Sequence, residues 1–358
     1  MTATVQPIDQ AEAGAFAGRV LGDIGASMTT LLAILGDRLG LFTALADIGP
    51  ATSDDLAARA GVSERYAREW LGGMAAAGYI AYDPPTGQFT VPPAHAPVLA
   101  RDGGPFSVGG AYELMFAEIG QIGRLAEVFR TGEGVPAAAY GASLWEGQER
   151  FSLGWTDHLL TQAWIPAMPD VRAKLERGAA VADVGCGYGR ALVTLARAYP
   201  DSYFVGYDSY EPAIAQATAN ARAAGVADRV RFQHLDVTRG LPAEYDIITT
   251  FDVIHDANDP LAMARAIRKA LKPGGSYVCL EMNCSDRLEE NAGPVGALGH
   301  GISILYCLPV SLAAGGPGLG TLGLPHPKLE ALCLAANFTA VRRLPLEHPF
   351  HSVYEVSA

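Results

Sequence analysis

The stretch Val181-Ala182-Asp183-Val184-Gly185-Cys186-Gly187-Tyr188-Gly189-Arg190 decides the fold. Ala179 to Val184 is apolar apart from Asp183, as expected of a central parallel strand buried on both faces. Three alternating glycines then make a turn in which backbone can approach a ligand with no Cβ in the way. Arg190 to Arg197 follows with the apolar spacing of an amphipathic helix, whose N-terminal N–H groups would face that ligand. A tight strand-to-helix turn with no ligand fits the same ten residues, so the surrounding sequence has to arbitrate.

The spacing separates two classes of nucleotide-like ligand. A dinucleotide site wants G-x-G-x-x-G, whereas here Arg190 stands where the third dinucleotide glycine belongs, which disfavours nicotinamide and flavin cofactors. S-adenosylmethionine carries an ammonium and a sulfonium, and Asp183 suits its cationic methionine end, with Gly185, Cys186, Gly187 and Gly189 as the turn beside it. A second apolar strand, Tyr203 to Tyr207, ends in Asp208, close to the offset at which a strand-tip acid meets ribose hydroxyls. A third, Val230 to Leu235, ends in Asp236-Val237, a carboxylate for the adenine amino group and a side chain to pack on the ring; a surface-turn aspartate is the alternative there. A fourth, Tyr245 to Phe251, ends in Asp252-Val-Ile-His255-Asp256. A helix from about Pro260 to Leu271 leads to Lys272-Pro273-Gly274-Gly275 and strand five, Ser276 to Met282.

Asp183-Val-Gly-Cys-Gly-Tyr-Gly189, Tyr207-Asp208, Asp236-Val237 and Leu271-Lys-Pro-Gly-Gly275 together resemble the class I S-adenosylmethionine-dependent methyltransferases over about residues 173 to 358. The resemblance implies an α/β fold: a Rossmann-like domain with a seven-stranded, mostly parallel sheet, helices on both faces and an antiparallel last strand. Phe338 to Leu344 and His351 to Val356 are the expected strands six and seven.

At 358 residues the chain is long for one such domain, so a second module is expected. A hydrophobic content of 49% with 18% charged residues fits an ordered globular enzyme. The net charge of −12 argues against nucleic acid or an anionic membrane as partner and leaves small molecules as the default. Cys186, Cys279, Cys284, Cys307 and Cys333 are scattered, with no C-x-x-C pair, so neither a disulfide framework nor a metal site is signalled. Cys186 reads as a small side chain packed inside the turn. No signal peptide and no apolar run near the ~20 residues of a membrane span are evident, and a cytoplasmic location is expected.

Residues 1–100 form the expected front domain. Met28 to Ala46 reads as an apolar helix, Thr52-Ser-Asp-Asp55 as a helix cap, Leu56 to Ala60 as a short helix ended by Gly61, and Ser63 caps a helix running to Ala77. Tyr79 to Tyr82 and Gln88 to Val91 are two short strands around a Pro-Pro-Thr-Gly turn. This is the outline of a winged helix. Its helix carries Arg65 and Arg68, but Glu64 and Glu69 flank them, and the first hundred residues hold five Arg, no Lys and ten acidic residues, a poor footprint for DNA. Packing against a second copy is the expected use, as in the secondary-metabolite O-methyltransferases that this architecture resembles, so a homodimer follows from the resemblance.

Residues 101–172 are expected to be a helical bridge that contributes to the substrate pocket. Tyr112 to Phe129 has helical periodicity, with Met115 among its apolar positions, and Trp155 to Leu175 forms a further helix or two. Gly132 to Gly147 reads as a loop.

In open parallel sheets the ligand lies at the carboxyl ends of the strands, which puts His255 beside the transferred group. For a hydroxyl acceptor, a histidine with a pKa near 7 can take the proton. Ile254-His255-Asp256-x-x-Asp259 resembles the His-Asp-Trp-x-Asp segment of the secondary-metabolite enzymes, whose histidine is the base, although Ala257 replaces the tryptophan. Asp256 would orient His255 or touch the cofactor, and the resemblance places Asp252 in the methionine pocket. A histidine that merely caps the strand is the bland alternative.

An insertion from Asn283 to about Leu324 occupies a position that relatives fill with substrate-binding elements; Tyr306 and its aliphatic neighbours suit a hydrophobic acceptor, its glycine tail suits a movable substrate lid, and a dimer-packing helix with a loop is the alternative. His300 is a candidate second base or a structural histidine. The His-Gly-x-Ser and Gly-Gly-x-Gly-Leu-Gly-Thr tracts resemble actinobacterial small-molecule methyltransferases with a winged-helix-like N-terminus. The expected function is O-methylation of a hydrophobic small molecule. N- or C-methylation by proximity, a cofactor-sensing DNA-binding regulator, and a cofactor-dependent cyclase are the alternatives.

Overall fold

The computed structural model describes residues 8–358. The chain divides into two compact units that meet in sequence at Glu113–Leu114.

In the first unit a helix spans Gln10–Arg38, capped by Asp9, whose side chain accepts from Ala11 and Glu12 N–H. The apolar helix expected from Met28 to Ala46 is broken: Gly40, at φ +65°, separates it from a second helix, Leu41–Ile48. Thr52 and Asp55 form a reciprocal capping box on Ser53–Ala60, and Gly61 closes that helix in the left-handed region. Glu64–Ala76 follows. The wing strands β1 (Ala81–Asp83) and β2 (Gln88–Thr90) pair antiparallel, with Tyr82 opposite Phe89. Leu45, Leu56, Leu71 and Met74, all fully buried, form the core with Phe42 and Trp70, whose rings meet edge-on at 4.9 Å.

The second unit is built on a seven-stranded sheet: β3 (Ala180–Val184), β4 (Tyr203–Asp208), β5 (Val230–His234), β6 (Tyr245–Phe251), β7 (Leu271–Met282), β8 (Ala340–Arg343) and β9 (His351–Ser357). The order is β5-β4-β3-β6-β7-β9-β8. β3 to β7 pair in parallel, and β9 runs antiparallel to both β7 and β8. Side chains alternate across the central strands: Val181, Ile247, Val278 and Val353 enter one core layer, and Ala182, Ile248, Cys279 and Tyr354 enter the other. Both faces are therefore buried, which is why these strands read as near-continuous apolar runs. Helix Arg190–Ala198 lays Leu192, Leu195 and Ala196 on the first layer at helical spacing.

Three expectations are corrected here. Tyr112 to Phe129 is not one helix, because Gly109–Ile119 and Ile122–Thr131 are separated at Gly120-Gln121. Gly132 to Gly147 is not a loop throughout: a helix starts at Ala142, because Leu144 is fully buried and tertiary packing overrides the glycine content. That helix continues beyond Trp155 as a π-helical segment, Thr156–Trp164. Finally, two helical stretches do reach membrane-crossing length and apolarity, Gln10–Arg38 (mean hydropathy 1.3) and Gly293–Ala313 (1.6), the second across a π-helical turn at Ser303–Cys307.

Candidate active site

The carboxyl edge of the parallel strands gathers most of the expected residues. Gly185, Gly187 and Gly189 all have left-handed φ, 72°, 50° and 77°. At Gly185 a Cβ would sit 2.6 Å from Val253, and at Gly189 2.4 Å from the Phe232 ring, so both positions exclude any side chain. Gly187 differs: nothing lies within 4 Å of its Cβ position, leaving one side of the turn open. The turn's N–H groups are largely spent inside the protein. Gly185 and Cys186 donate to Tyr207 O, Gly187 to Asp208 Oδ2 (2.9 Å), and Gly189 to Cys186 O. The glycines thus shape the turn and clear its surface rather than present a row of free donors.

Asp183 lies within β3 and is buried, accepting from Thr249 Oγ1 at 2.7 Å across the β3–β6 register. Burial pushes its pKa up to about 7 against the Thr249 bond, with the Asp208 charge adding to the rise. Asp208 accepts from Gly187 N–H and from Tyr210 N–H (2.8 Å), and burial raises it too. Cys186 is buried, and its thiol is pushed well above the ordinary range by burial, which fits packing rather than chemistry. Asp236 caps the short turn Val237–Arg239 through Thr238 N–H and Oγ1, and Val237 is buried beside it.

His255 sits in a 3₁₀ turn, Ile254–Asp256, just beyond β6 and is buried. Its Nδ1 donates to Glu281 Oε2 at 2.6 Å, while Ile254 N–H donates to Glu281 Oε1 at 2.9 Å. One buried carboxylate on β7 therefore fixes both the turn and the ring. Nε2 lies 3.4 Å from Asp256 and 3.7 Å from Cys307 Sγ, and the latter accepts from Thr321 Oγ1. Burial alone would favour neutral imidazole. The Asp256 and Glu281 charges outweigh it and hold the pKa well above the usual value.

Asp252, the residue after β6, has φ +56°, a conformation costly for a non-glycine residue. Its Oδ2 pairs with His351 Nε2 at 2.7 Å. Asp252, His255 and Glu281 each present an oxygen or nitrogen such that all three lie within 4.8 Å of one another; His255, Asp256 and Cys307 do the same. Trp155 stands beside this cluster, its ring 5.4 Å from Phe251, 5.3 Å from Trp164 and 6.1 Å from His351.

The remaining expected substrate residues are scattered. Tyr306 is buried, edge-on to Tyr140 at 5.3 Å, and the nearby Asp256 charge adds to the burial that raises its hydroxyl. Met115 is half-buried on helix Gly109–Ile119. His300 is exposed on helix Gly293–Ile302. Glu281 and His351 escaped sequence reading. Glu281 had a signal, being the only charged residue in the apolar run Tyr277–Met282; His351 had none.

A seven-stranded sheet with this order, a glycine turn after its first strand and acids at the following strand tips define the class I methyltransferase fold. Consistent with it, residues 175–298 match a family model described as a methyltransferase domain, and residues 26–101 match the Rv2258c-like winged HTH domain. The chain is a winged helix-turn-helix domain followed by a methyltransferase domain. Over 136 residues it is 29% identical to the ubiquinone biosynthesis O-methyltransferase of Psychrobacter cryohalolentis, covering 37% of this chain and 52% of that protein. The curated relatives are matched over part of their length only, from 23% to 57% among the most similar. Among solved structures, a Nostoc punctiforme protein superposes with a TM-score of 0.73 at 17% identity, covering 95% of this chain and 98% of its own. Human N-acetylserotonin methyltransferase, solved with S-adenosylmethionine, gives 0.72 at 18%, covering 99% and 100%.

Proposed function

We propose that this protein transfers a methyl group from S-adenosylmethionine to an oxygen of a hydrophobic small molecule, in secondary metabolism, with His255 as general base. The observation that carries this reading is the buried Glu281–His255 pair at the carboxyl edge of the sheet, beside the glycine turn. The turn fits the cofactor through its open side at Gly187 and the acids Asp183, Asp208 and Asp236 at successive strand ends, with Val237 for the adenine ring. When bound, S-adenosylmethionine supplies an electrophilic methyl group on a sulfonium. Asp183 compensates its positive end, Asp208 accepts from the ribose, and His255 takes the acceptor's hydroxyl proton while Glu281 and Asp256 stabilise the imidazolium formed. Tyr306, Trp155 and Met115 give the acceptor apolar walls, and His300 stays outside the chemistry.

The test is S-adenosylhomocysteine formation with a panel of phenols and hydroxylated polyketides, comparing the parent protein with His255→Ala. Loss of turnover by ~10²-fold or more with cofactor affinity retained supports the base role; undiminished turnover would remove it. The raised pKa of His255 favours a second reading, since an already protonated ring suits transfer to nitrogen or carbon driven by positioning alone.

The helix Gln10–Arg38 supports a homodimer. Phe16, Leu21, Ile24, Met28 and Leu35 are each more than half exposed along it, an apolar face suited to a second copy. DNA binding by the front domain is disfavoured, because Arg68 and Arg65 are paired with Glu64 and Glu69 at 2.6 Å. A cytoplasmic enzyme is the accompanying reading.

A further inference from the structure

Two histidines with acid partners stand in one cluster, and the proposed base accounts for only one of them. In the first, an acid from β7 (Glu281) holds a histidine from the β6 tip (His255). In the second the order is reversed: an acid from the β6 tip (Asp252) is held by a histidine from the start of β9 (His351). The antiparallel register brings them together, since Met282 faces His351 and Glu281 faces Ser352.

The second pair is built, not incidental. His351 is 2% exposed, and its ring is stacked on His348 at 4.9 Å and walled by Trp155 and Trp164. His348 Nδ1 accepts from His351 N–H at 3.1 Å, which fixes the backbone of the residue that carries the ring. Burial lowers the His348 pKa to about 4, so this acceptor stays neutral. Asp252 is held in a left-handed conformation while Val253 packs against Gly185 of the glycine turn. With Oδ2 committed to His351, Asp252 Oδ1 is buried and has no hydrogen-bond partner among the described residues. A buried carboxylate oxygen without a donor calls for one from a ligand.

We propose that Asp252, oriented by His351, faces the methyl acceptor rather than the methionine end of the cofactor and is a specificity residue that accepts a hydrogen bond from a second donor on that acceptor, so that the site selects catechol-type acceptors with two hydroxyls on neighbouring carbons. This rests on the methyltransferase reading above for the word acceptor, but the recognition itself needs no methyl transfer. The side chains are close enough: one oxygen or nitrogen from each of Asp252, His255 and Glu281 lies within 4.8 Å of the others, so groups on neighbouring carbons of one ligand can address this cluster together. An acceptor with a single hydroxyl would leave Asp252 Oδ1 buried without a donor, the arrangement that gives polar sites their sharpest discrimination. His351 is a positioning residue, acting through Asp252.

The experiment is a binding titration on the full chain in saturating S-adenosylhomocysteine, with 4-nitrocatechol and 4-nitrophenol followed by absorbance. The unaltered protein should bind 4-nitrocatechol at least ~10-fold tighter. Asp252→Asn, which the left-handed backbone tolerates, should bring the two affinities within about threefold. His351→Phe keeps a ring in the aromatic box and should reduce the preference while leaving 4-nitrophenol binding unchanged, an effect that a merely structural residue would not produce. Equal affinities, no saturable binding of either probe, or a preference surviving both substitutions would overturn the proposal. A protein that discriminates yet transfers no methyl would fail the reading above and leave this one standing; methyl transfer without discrimination would do the reverse.

Discussion

Glu281 and His255, 26 residues apart in sequence, share a 2.6 Å hydrogen bond in the buried edge of the sheet, and the same carboxylate holds the turn that carries the histidine. Glu281→Gln keeps an acceptor for Ile254 N–H but removes the charge that stabilises imidazolium. Turnover should fall by ~10–10²-fold with little change in melting temperature, whereas Glu281→Ala should lower both. Steady-state kinetics and thermal melts on the two variants separate these roles.

The pH profile follows from the sign of the His255 shift. Its pKa is raised, so the ring is protonated below that pKa and becomes a competent base only above it. The rising limb of turnover should therefore lie alkaline of 6.5, the ordinary histidine value, and move toward lower pH in Glu281→Gln. A flat profile from pH 6 to 9 would instead support transfer by positioning alone.

Asp183 gives a second pH dependence, in cofactor affinity. Its pKa in the free protein is pushed up to about 7, chiefly by burial. A cationic ligand beside it stabilises the ionised form, so S-adenosylmethionine should bind more tightly at pH 7.5 than at 5.5. Calorimetric titration checks this, and Asp183→Asn should flatten the difference. A raised carboxyl pKa also means stability is lost as pH climbs from the unfolded value of about 4 toward 7, so the same variant should be the more stable of the two at pH 8.

Gly189→Ala should destabilise the second unit by about 2–4 kcal/mol, combining the left-handed backbone with a methyl 2.4 Å from the Phe232 ring. Gly187→Ala incurs the backbone strain without the clash, so it should cost less stability and act mainly on cofactor binding. Melting curves with and without S-adenosylhomocysteine distinguish the two.

The exposed face of Gln10–Arg38 should be an assembly surface. Replacing Leu21, Ile24 and Met28 together with Gln should convert a dimer to a monomer by light scattering, with the far-ultraviolet circular dichroism retained. An unchanged mass would reject this face as the contact.

What the sequence made legible was local. The glycine turn, Asp208 and the Thr52–Asp55 cap declare themselves because each meets a backbone demand within a few residues. His255 declared itself by its place after a strand. Glu281, its hydrogen-bond partner, and His351, the partner of Asp252, did not, because Glu281 is delivered by strand pairing and His351 by an antiparallel register, neither of which has a sequence period. The same limit explains the helix at Ala142, which forms because Leu144 is buried, not because its residues favour helix.

The reversed direction of β9 has a consequence for how the protein is made. In a wholly parallel sheet every strand brings its last residue to the working edge; a reversed strand brings its first, and so His351 arrives beside acids that left the ribosome some 70 to 100 residues before it. Until that strand docks, Asp252 lacks its imidazole partner. A nascent chain stopped short of β9 can hold the glycine turn in place yet lack the second pair, so selectivity would be the last property the growing protein acquires.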